Sequence, residues 1–228
     1  MTIDLVVARY QEDPAWLRRV PRTLRTHLYN KGDVLPGAVP LPNVGREAHT
    51  YLHHFVDRYE DLADLTVCVQ GKPFDHVPDL HRRLRAWADG VEAVADFSWL
   101  GFLVDEDDVT GSRLFQRWSK NPEGRPLDLA GFWSAVFGEQ PRPATFVFFG
   151  GANFAVTRET VRKRSRAFYE KARAVAADFP DAAHGFERTW NEVFGVPALP
   201  PELRGRPLPL YLKPIRRLMV PSSPDVVG

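Results

Sequence analysis

Strand-like and helix-like segments alternate through the first half of this chain, which predicts an α/β fold: a mostly parallel sheet flanked by helices on both faces. Two observations carry the expectation. Apolar runs of strand length, Leu65-Thr66-Val67-Cys68-Val69 and Thr145-Phe146-Val147-Phe148-Phe149, suit strands buried on both sides. Between such runs, apolar residues recur at helical spacing: Ala48, Tyr51, Leu52, Phe55, Val56 and Tyr59. With 228 residues, 44% of them hydrophobic, the chain can bury one sizeable core. Residues 1–196 read as a single α/β domain, and residues 197–228 as a Pro-rich C-terminal extension that wraps the surface or reaches a partner.

In chain order, Leu5-Val6-Val7-Ala8 reads as a short buried strand. Asp13-Pro14 supplies an N-cap and a first-turn proline for a helix through Trp16 and Leu17. Thr26 to Asn30 reads as a second strand, closed by Lys31-Gly32. A Pro/Gly-rich loop then leads to Asn43-Val44-Gly45-Arg46-Glu47 and the helix Glu47 to Tyr59. The strand ending at Val69 follows, then a helix from Asp79 through Trp87 to near Gly90. Phe97 to Val104 is one apolar run that meets Asp105-Glu106-Asp107-Asp108. A helix spans Leu129 to Phe137, and a strong strand Thr145 to Phe149 meets Gly150-Gly151-Ala152-Asn153 and the short strand Phe154-Ala155-Val156. Thr157 caps one long helix carrying Val161, Phe168, Ala172 and Val175, and Phe186 to Phe194 reads as a last short helix.

The net charge of +1 gives no global attraction to nucleic acid or an anionic surface, and none is expected as a partner. Cys68 is the single cysteine, which excludes an intrachain disulfide and a cysteine-cluster metal site. Met1 to Leu5 lacks a basic stretch followed by an apolar one, and no apolar run reaches the ~18 residues a membrane span needs. A cytoplasmic soluble protein is the expectation.

The candidate site residues lie at element ends. Gly45 permits a tight turn, Arg46 offers a planar donor fork for phosphate or carboxylate, and Glu47 falls in the first helical turn; an ordinary capped helix start explains the same residues. His49 and His53 are spaced to hold one metal ion, yet no third ligand follows at standard spacing, so a solvated helix face is the plainer reading. His54 shares a flank with Glu47. Gln70-Gly71-Lys72-Pro73 and His76 lie just past a strand end, where open sheets bind ligands, or form a simple turn. Cys68 beside His76 could be a nucleophile, but its apolar neighbours favour a buried strand residue. Asp105 and Asp107 directly after a strand suit Mg²⁺ or Mn²⁺ on a diphosphate, or form an acidic surface loop. Gly151 lets a ligand approach the backbone, although the dinucleotide-binding glycine spacing is absent. The basic run from Arg158 to Arg166 reads as a solvated face able to receive phosphate. Glu187 near Trp190 is a candidate base or half of an ion pair.

Several motifs together resemble a family of fungal and bacterial chains, the domain of unknown function 3431. They are Val7-Ala8-Arg9-Tyr10 with Glu12-Asp13 and Trp16, Tyr29-Asn30-Lys31-Gly32, and Asn43-Val44-Gly45-Arg46-Glu47 with Thr50-Tyr51-Leu52. Further on come Val69-Gln70-Gly71-Lys72-Pro73, Gly151-Ala152-Asn153-Phe154-Ala155-Val156, Phe168-Tyr169 and Glu187-Arg188-Thr189-Trp190. That family usually has Gln where this chain has Asn153. The order of motifs is in turn similar to that of glycosyltransferases of the nucleotide-sugar-binding A-type fold, a fold-level analogy.

The resemblance implies a glycosyltransferase-like enzyme moving a sugar from a nucleotide-sugar donor to a small-molecule acceptor. Arg46 and Lys31 would stabilise the leaving diphosphate, Glu187 or Glu47 would be the base, and His54 is a further catalytic candidate. Tyr29, Asn30, Asn43, Gly45, Gln70, Gly71, His76, Gly151 and Asn153 would line the donor. Mg²⁺ or Mn²⁺ would sit on Asp105 and Asp107, or be dispensed with, because Gln70-Gly71 has no carboxylate at the usual metal position. Two alternatives compete: a tailoring enzyme of a small-molecule pathway using His54 or His76 in acid/base chemistry without a nucleotide sugar, and a non-catalytic binding module using the Trp residues and the Pro-rich extension.

Overall fold

The structure, a computed structural model, describes residues 1–212. The main sheet has six strands in the order β3-β2-β1-β4-β8-β5. β1 (Ile3–Arg9), β2 (Arg25–Asn30), β3 (Val39–Pro40) and β4 (Leu65–Gln70) are mutually parallel. β8 (Phe154–Thr157) runs antiparallel between β4 and β5 (Phe97–Trp99). A second, three-stranded antiparallel sheet places β6 (Leu103–Asp108) between β7 (Thr145–Phe149) and β9 (Leu210–Tyr211). The expected α/β class with a mostly parallel main sheet is therefore present.

The pleat sorts β1 by alternate residues. Leu5 and Val7 pack with Val67 and Val69 against Leu80, Leu84 and Trp87 of α2 (Leu80–Ala88). Val6, with Cys68 of β4, packs on the other face against Tyr51, Leu52 and Phe55 of α1 (Arg46–Asp57). Behind α1 lie α3 (Leu129–Phe137), α5 (Arg166–Asp178) and α6 (Ala182–Val193), whose Phe132, Tyr169, Phe186 and Trp190 extend the same core. Gly45 opens α1 at φ 58°, and a Cβ there would stand 2.1 Å from the Ala176 carbonyl oxygen. The start of α1 thus rests directly on α5, and only glycine allows it.

Two segments depart from the sequence expectations. The run 97–104 breaks at Leu100-Gly101-Phe102 into β5 and β6, so Asp105 and Asp107 lie within a strand and not after one. The long helix after Thr157 is two: α4 (Arg158–Val161), capped by Thr157, and α5, capped by the Ser165 side chain on Phe168 N–H. The basic run at the break is structural, because Arg162 donates to the carbonyls of Tyr59 and Glu60 and Arg164 to those of Glu192 and Val193. Residues 197–212 of the Pro-rich extension lie against the domain: Trp99 Nε1–H donates to Ala198 O at 3.0 Å, Leu203 is buried, and β9 pairs with β6. The rest of the Pro-rich extension lies outside the described residues. No helix among the described residues is long and apolar enough to cross a membrane.

From β1 the chain steps outward to β2 and β3, then returns through α1 to β4 on β1's other side. The connections leaving β1 and β4 therefore diverge at their C-terminal ends, and a crevice opens there.

Candidate active site

A cleft of about 600 Å³ occupies that crevice, lined among others by Arg9, Glu12, Lys31, Asn43, Gln70 and Lys72. A second hollow of about 330 Å³ holds Trp118, Phe148, Gly151, His184, Glu187 and Arg188. Arg46, Glu47, Gln70 and His76 line both, so the two form one continuous site. A larger cavity, about 890 Å³, lies beside β5 between Trp99, Phe149 and the proline-rich segment at 197–201. Its lining is mostly apolar, and its Asp79 and Arg83 pair with each other, so it lacks the convergent charges of the cleft.

One wall is the start of α1. Gly45 and Arg46 are both left-handed, Arg46 at φ 46°, a conformation that costs a non-glycine residue about 1–3 kcal/mol. The buried Lys31 ammonium holds this turn by donating to Val44 O and Arg46 O, each at 2.5 Å. Burial draws the Lys31 pKa down to about 8. Asn30, at the end of β2, accepts from Arg9 NH1 at 2.5 Å and donates to Asp33 O at 2.7 Å, fixing the guanidinium at the mouth.

The opposite wall is built around Asn153, which is 1% exposed. Its Oδ1 accepts from Gln70 N–H at 3.0 Å and its Nδ2 donates to Gly151 O at 2.7 Å, joining the end of β4 to the turn before β8. Gly151 has φ 94°, a Cβ on it would meet the His76 ring at 2.4 Å, and the next residue, Ala152, is left-handed at φ 50°. Strained backbone therefore stands on both sides of the cleft, as functional sites often require.

Glu187 accepts from Gly151 N–H at 2.7 Å and lies 3.9 Å from His184 Nδ1 and 3.5 Å from Arg188 NH1. Burial alone would raise its pKa, but His184, Arg188 and the Gly151 N–H outweigh it and hold the carboxyl at about 2. Glu47 is the reverse case: burial, aided by the Glu187 charge, raises its pKa despite Arg46 at 3.6 Å. Two carboxyls in one site are thus pushed apart, one held ionised and one drawn toward its protonated form. His184 Nε2 stands 3.5 Å from Arg46 NH1, and the Arg46 guanidinium carbon lies 5.9 Å from the Trp118 ring centre.

Of the sequence-predicted residues, Lys31, Asn43, Arg46, Glu47, Gln70, His76, Gly151 and Glu187 line the site. Asn30, Gly45 and Asn153 brace it, as does Gly71, whose carbonyl accepts Trp16 Nε1–H at 2.8 Å. Trp118, Lys120 and His184 also line it and were not expected. His184 had a readable signal, the spacing His184-Glu187-Arg188 on one face of α6; Trp118 and Lys120 sit in a loop without periodicity.

His54 does not reach the cleft. It is fully buried toward the N-terminal ends of the strands, with Nδ1 3.1 Å from Tyr29 OH and Nε2 3.5 Å from Asp4 Oδ2. His27 Nε2 lies 3.1 Å from Asp4 Oδ1, and Arg25 donates to both Asp4 oxygens at 2.6 and 3.1 Å. Burial would raise the Asp4 pKa, but His27, His54 and Arg25 together hold it well below the carboxylate range. The donor atoms of Asp4, His27 and His54 lie within 4.8 Å of one another, so this cluster could hold a metal ion. Tyr29 belongs with this cluster and does not line the cleft. His49 is buried rather than on a solvated face, and burial pushes the Cys68 thiol up, which leaves it no nucleophile.

Asp105 and Asp107 do not suit a divalent ion. Asp105 accepts from Arg113 NH2 at 2.7 Å; Asp107, fully buried, takes Arg188 Nε and NH2 at 3.2 and 2.9 Å and Arg113 N–H at 3.0 Å. Both carboxylates are already neutralised by guanidinium groups, and neither lines the cleft.

No curated protein and no solved structure matches the chain. One family, described as a protein of unknown function (DUF3431), matches residues 5–98 and 109–202, which include β1, β2, α1, β4, the Gly151 turn and α6. With both walls of the cleft inside the matched residues, the chain belongs to the DUF3431 family.

Proposed function

We propose that the protein is a glycosyltransferase-like enzyme that moves a sugar from a nucleotide-sugar donor to a small-molecule acceptor. The observation that carries the reading is the single cleft at the point where the sheet order reverses, with cations on the α1 side and two oppositely tuned carboxyls within it. In this reading the acceptor hydroxyl oxygen bonds to the sugar anomeric carbon. The bond from that carbon to the diphosphate oxygen breaks, and its electron pair stays on the diphosphate. Glu47 receives the hydroxyl proton, its raised pKa suiting the exchange. Arg46 meets the negative charge that develops on the leaving group, held in place by the Lys31 bridge beneath it. Glu187 is a positioning residue that fixes the Gly151 turn and orients His184.

The test is release of nucleoside diphosphate from a panel of nucleotide sugars by the full chain and by Arg46→Ala. The variant should keep its fold, since Arg46 is exposed, and lose roughly 10²–10³ in turnover. Full activity in Arg46→Ala would remove that residue from the mechanism.

The His184–Glu187 contact favours a second reading, imidazole acid/base chemistry in a tailoring enzyme without a nucleotide sugar. A pH–rate profile lost in His184→Gln, with no affinity for any nucleotide, would select it.

A further inference from the structure

The carboxylates around the cleft are each held by other groups of the chain, whereas, among the described residues, one of its cations, Lys120, is not, and a second, Lys72, is held only by an exposed pair. Asp105 and Asp107 are held by Arg113 and Arg188. Of the acids lining the site, Glu12 accepts from Tyr10 N–H at 2.7 Å, Asp75 pairs with Lys72, Glu47 lies 3.6 Å from Arg46 Nε, and Glu187 accepts from Gly151 N–H at 2.7 Å and lies 3.5 Å from Arg188 NH1. Among the described residues, the one group of three or more metal-donor side chains within ligand distance is Asp4, His27 and His54, outside the cleft. Facing those four acids are six cations: Arg9, Lys31, Arg46, Lys72, Lys120 and Arg188. Lys120 has no carboxylate partner among the described residues and lies 5.7 Å from the Trp118 ring centre, on the ring that Arg46 also approaches. The Lys72 side chain is 66% exposed, and its contact with Asp75 is a surface pair three residues apart, which little opposes redirecting.

We infer that this cleft binds the diphosphate of a nucleoside diphosphate through Lys72, Lys120 and Arg46, without a divalent metal ion. The inference rests on the transferase reading, and it names what neutralises the leaving group there. Mg²⁺ on a diphosphate takes one or two available carboxylates besides the phosphate oxygens, and the acids here are engaged by other groups, whereas a phosphate chain needs positive charge and N–H donors, which the cleft supplies.

The experiment is binding of UDP, GDP, ADP, CDP and TDP to the full chain by calorimetry, in EDTA and again in Mn²⁺ or Mg²⁺. It is repeated with Lys72→Met/Lys120→Met, two exposed positions whose loss leaves the core intact. One diphosphate should bind equally with and without metal. Its affinity should fall with added salt and drop roughly tenfold or more in the double variant. Binding that appears only with Mn²⁺ or Mg²⁺, or that ignores the double variant, overturns the inference and leaves the transferase reading standing. Absence of binding for all five under every condition overturns both.

Discussion

Replacing Asp107 by Asn tests whether this carboxylate is structural or a metal ligand. Asp107 and Arg188 are 0% and 2% exposed at their side chains, and their contacts are 2.9 and 3.2 Å. The guanidinium also lies 4.6 Å from the Phe148 ring centre and donates to His184 O at 3.0 Å. Asn keeps the shape and can still accept from Arg113 N–H, but it leaves Arg188 a buried charge without its main counterion. Removing one partner of such a pair costs about 3–5 kcal/mol. For a domain of this size each kcal/mol moves the melting temperature by about 2–4 °C, so the expected fall is roughly 6–20 °C. The assay is thermal unfolding in EDTA and in Mn²⁺, with Arg188→Met and the double variant Asp107→Leu/Arg188→Met completing a cycle. The double variant should recover most of the loss, because an apolar pair of similar size is tolerated where a lone charge is not. A fall of less than about 2 °C, or one that appears only when Mn²⁺ is present, would refute the structural assignment.

Two further outcomes follow from the geometry. Glu187→Gln keeps an acceptor for Gly151 N–H but removes the charge beside His184, so turnover should fall while the fold persists. The Glu187 pKa is depressed on folding, so its contribution is present above its unfolded value of about 4.3 and is lost as pH falls toward 2. Denaturant unfolding between those limits should therefore show a weaker pH dependence in Glu187→Gln than in the parent. Truncation after Val196 deletes β9, Leu203 and the Ala198 carbonyl that receives Trp99, so it should lower the melting temperature; an unchanged melt would show that residues 197–212 add nothing to the core.

What could be read from the sequence was local. The α1 period, the Leu65 and Thr145 runs and the polar ends of β1, β2 and β4 depend on neighbours a few residues apart. Asp105 and Asp107 could not be placed that way, because what decides their role is Arg113 across a turn and Arg188 from α6, far along the chain. His54 escaped the sequence for the same reason: Asp4 and His27 meet it on the buried side of α1, away from the cleft, and nothing near it in sequence announces them. Glu47 and Glu187 were both legible as carboxylates, but their opposite tuning arises only when Gly151, His184 and Arg188 converge on one of them.

The position of β8 bears on how the chain is made. Among the described residues, 154–157 supply the only strand partner on that side of β4, and β5 has no other strand beside it. On a ribosome, the first hundred residues emerge with the apolar edge of β4 open until more than fifty further residues have been added. Such a long-range closing contact slows folding, and the waiting edge invites pairing with other nascent chains. In a cell, then, the yield of this protein should respond to chaperones that shield unpaired strands, and fragments ending before β8 should collect in inclusion bodies.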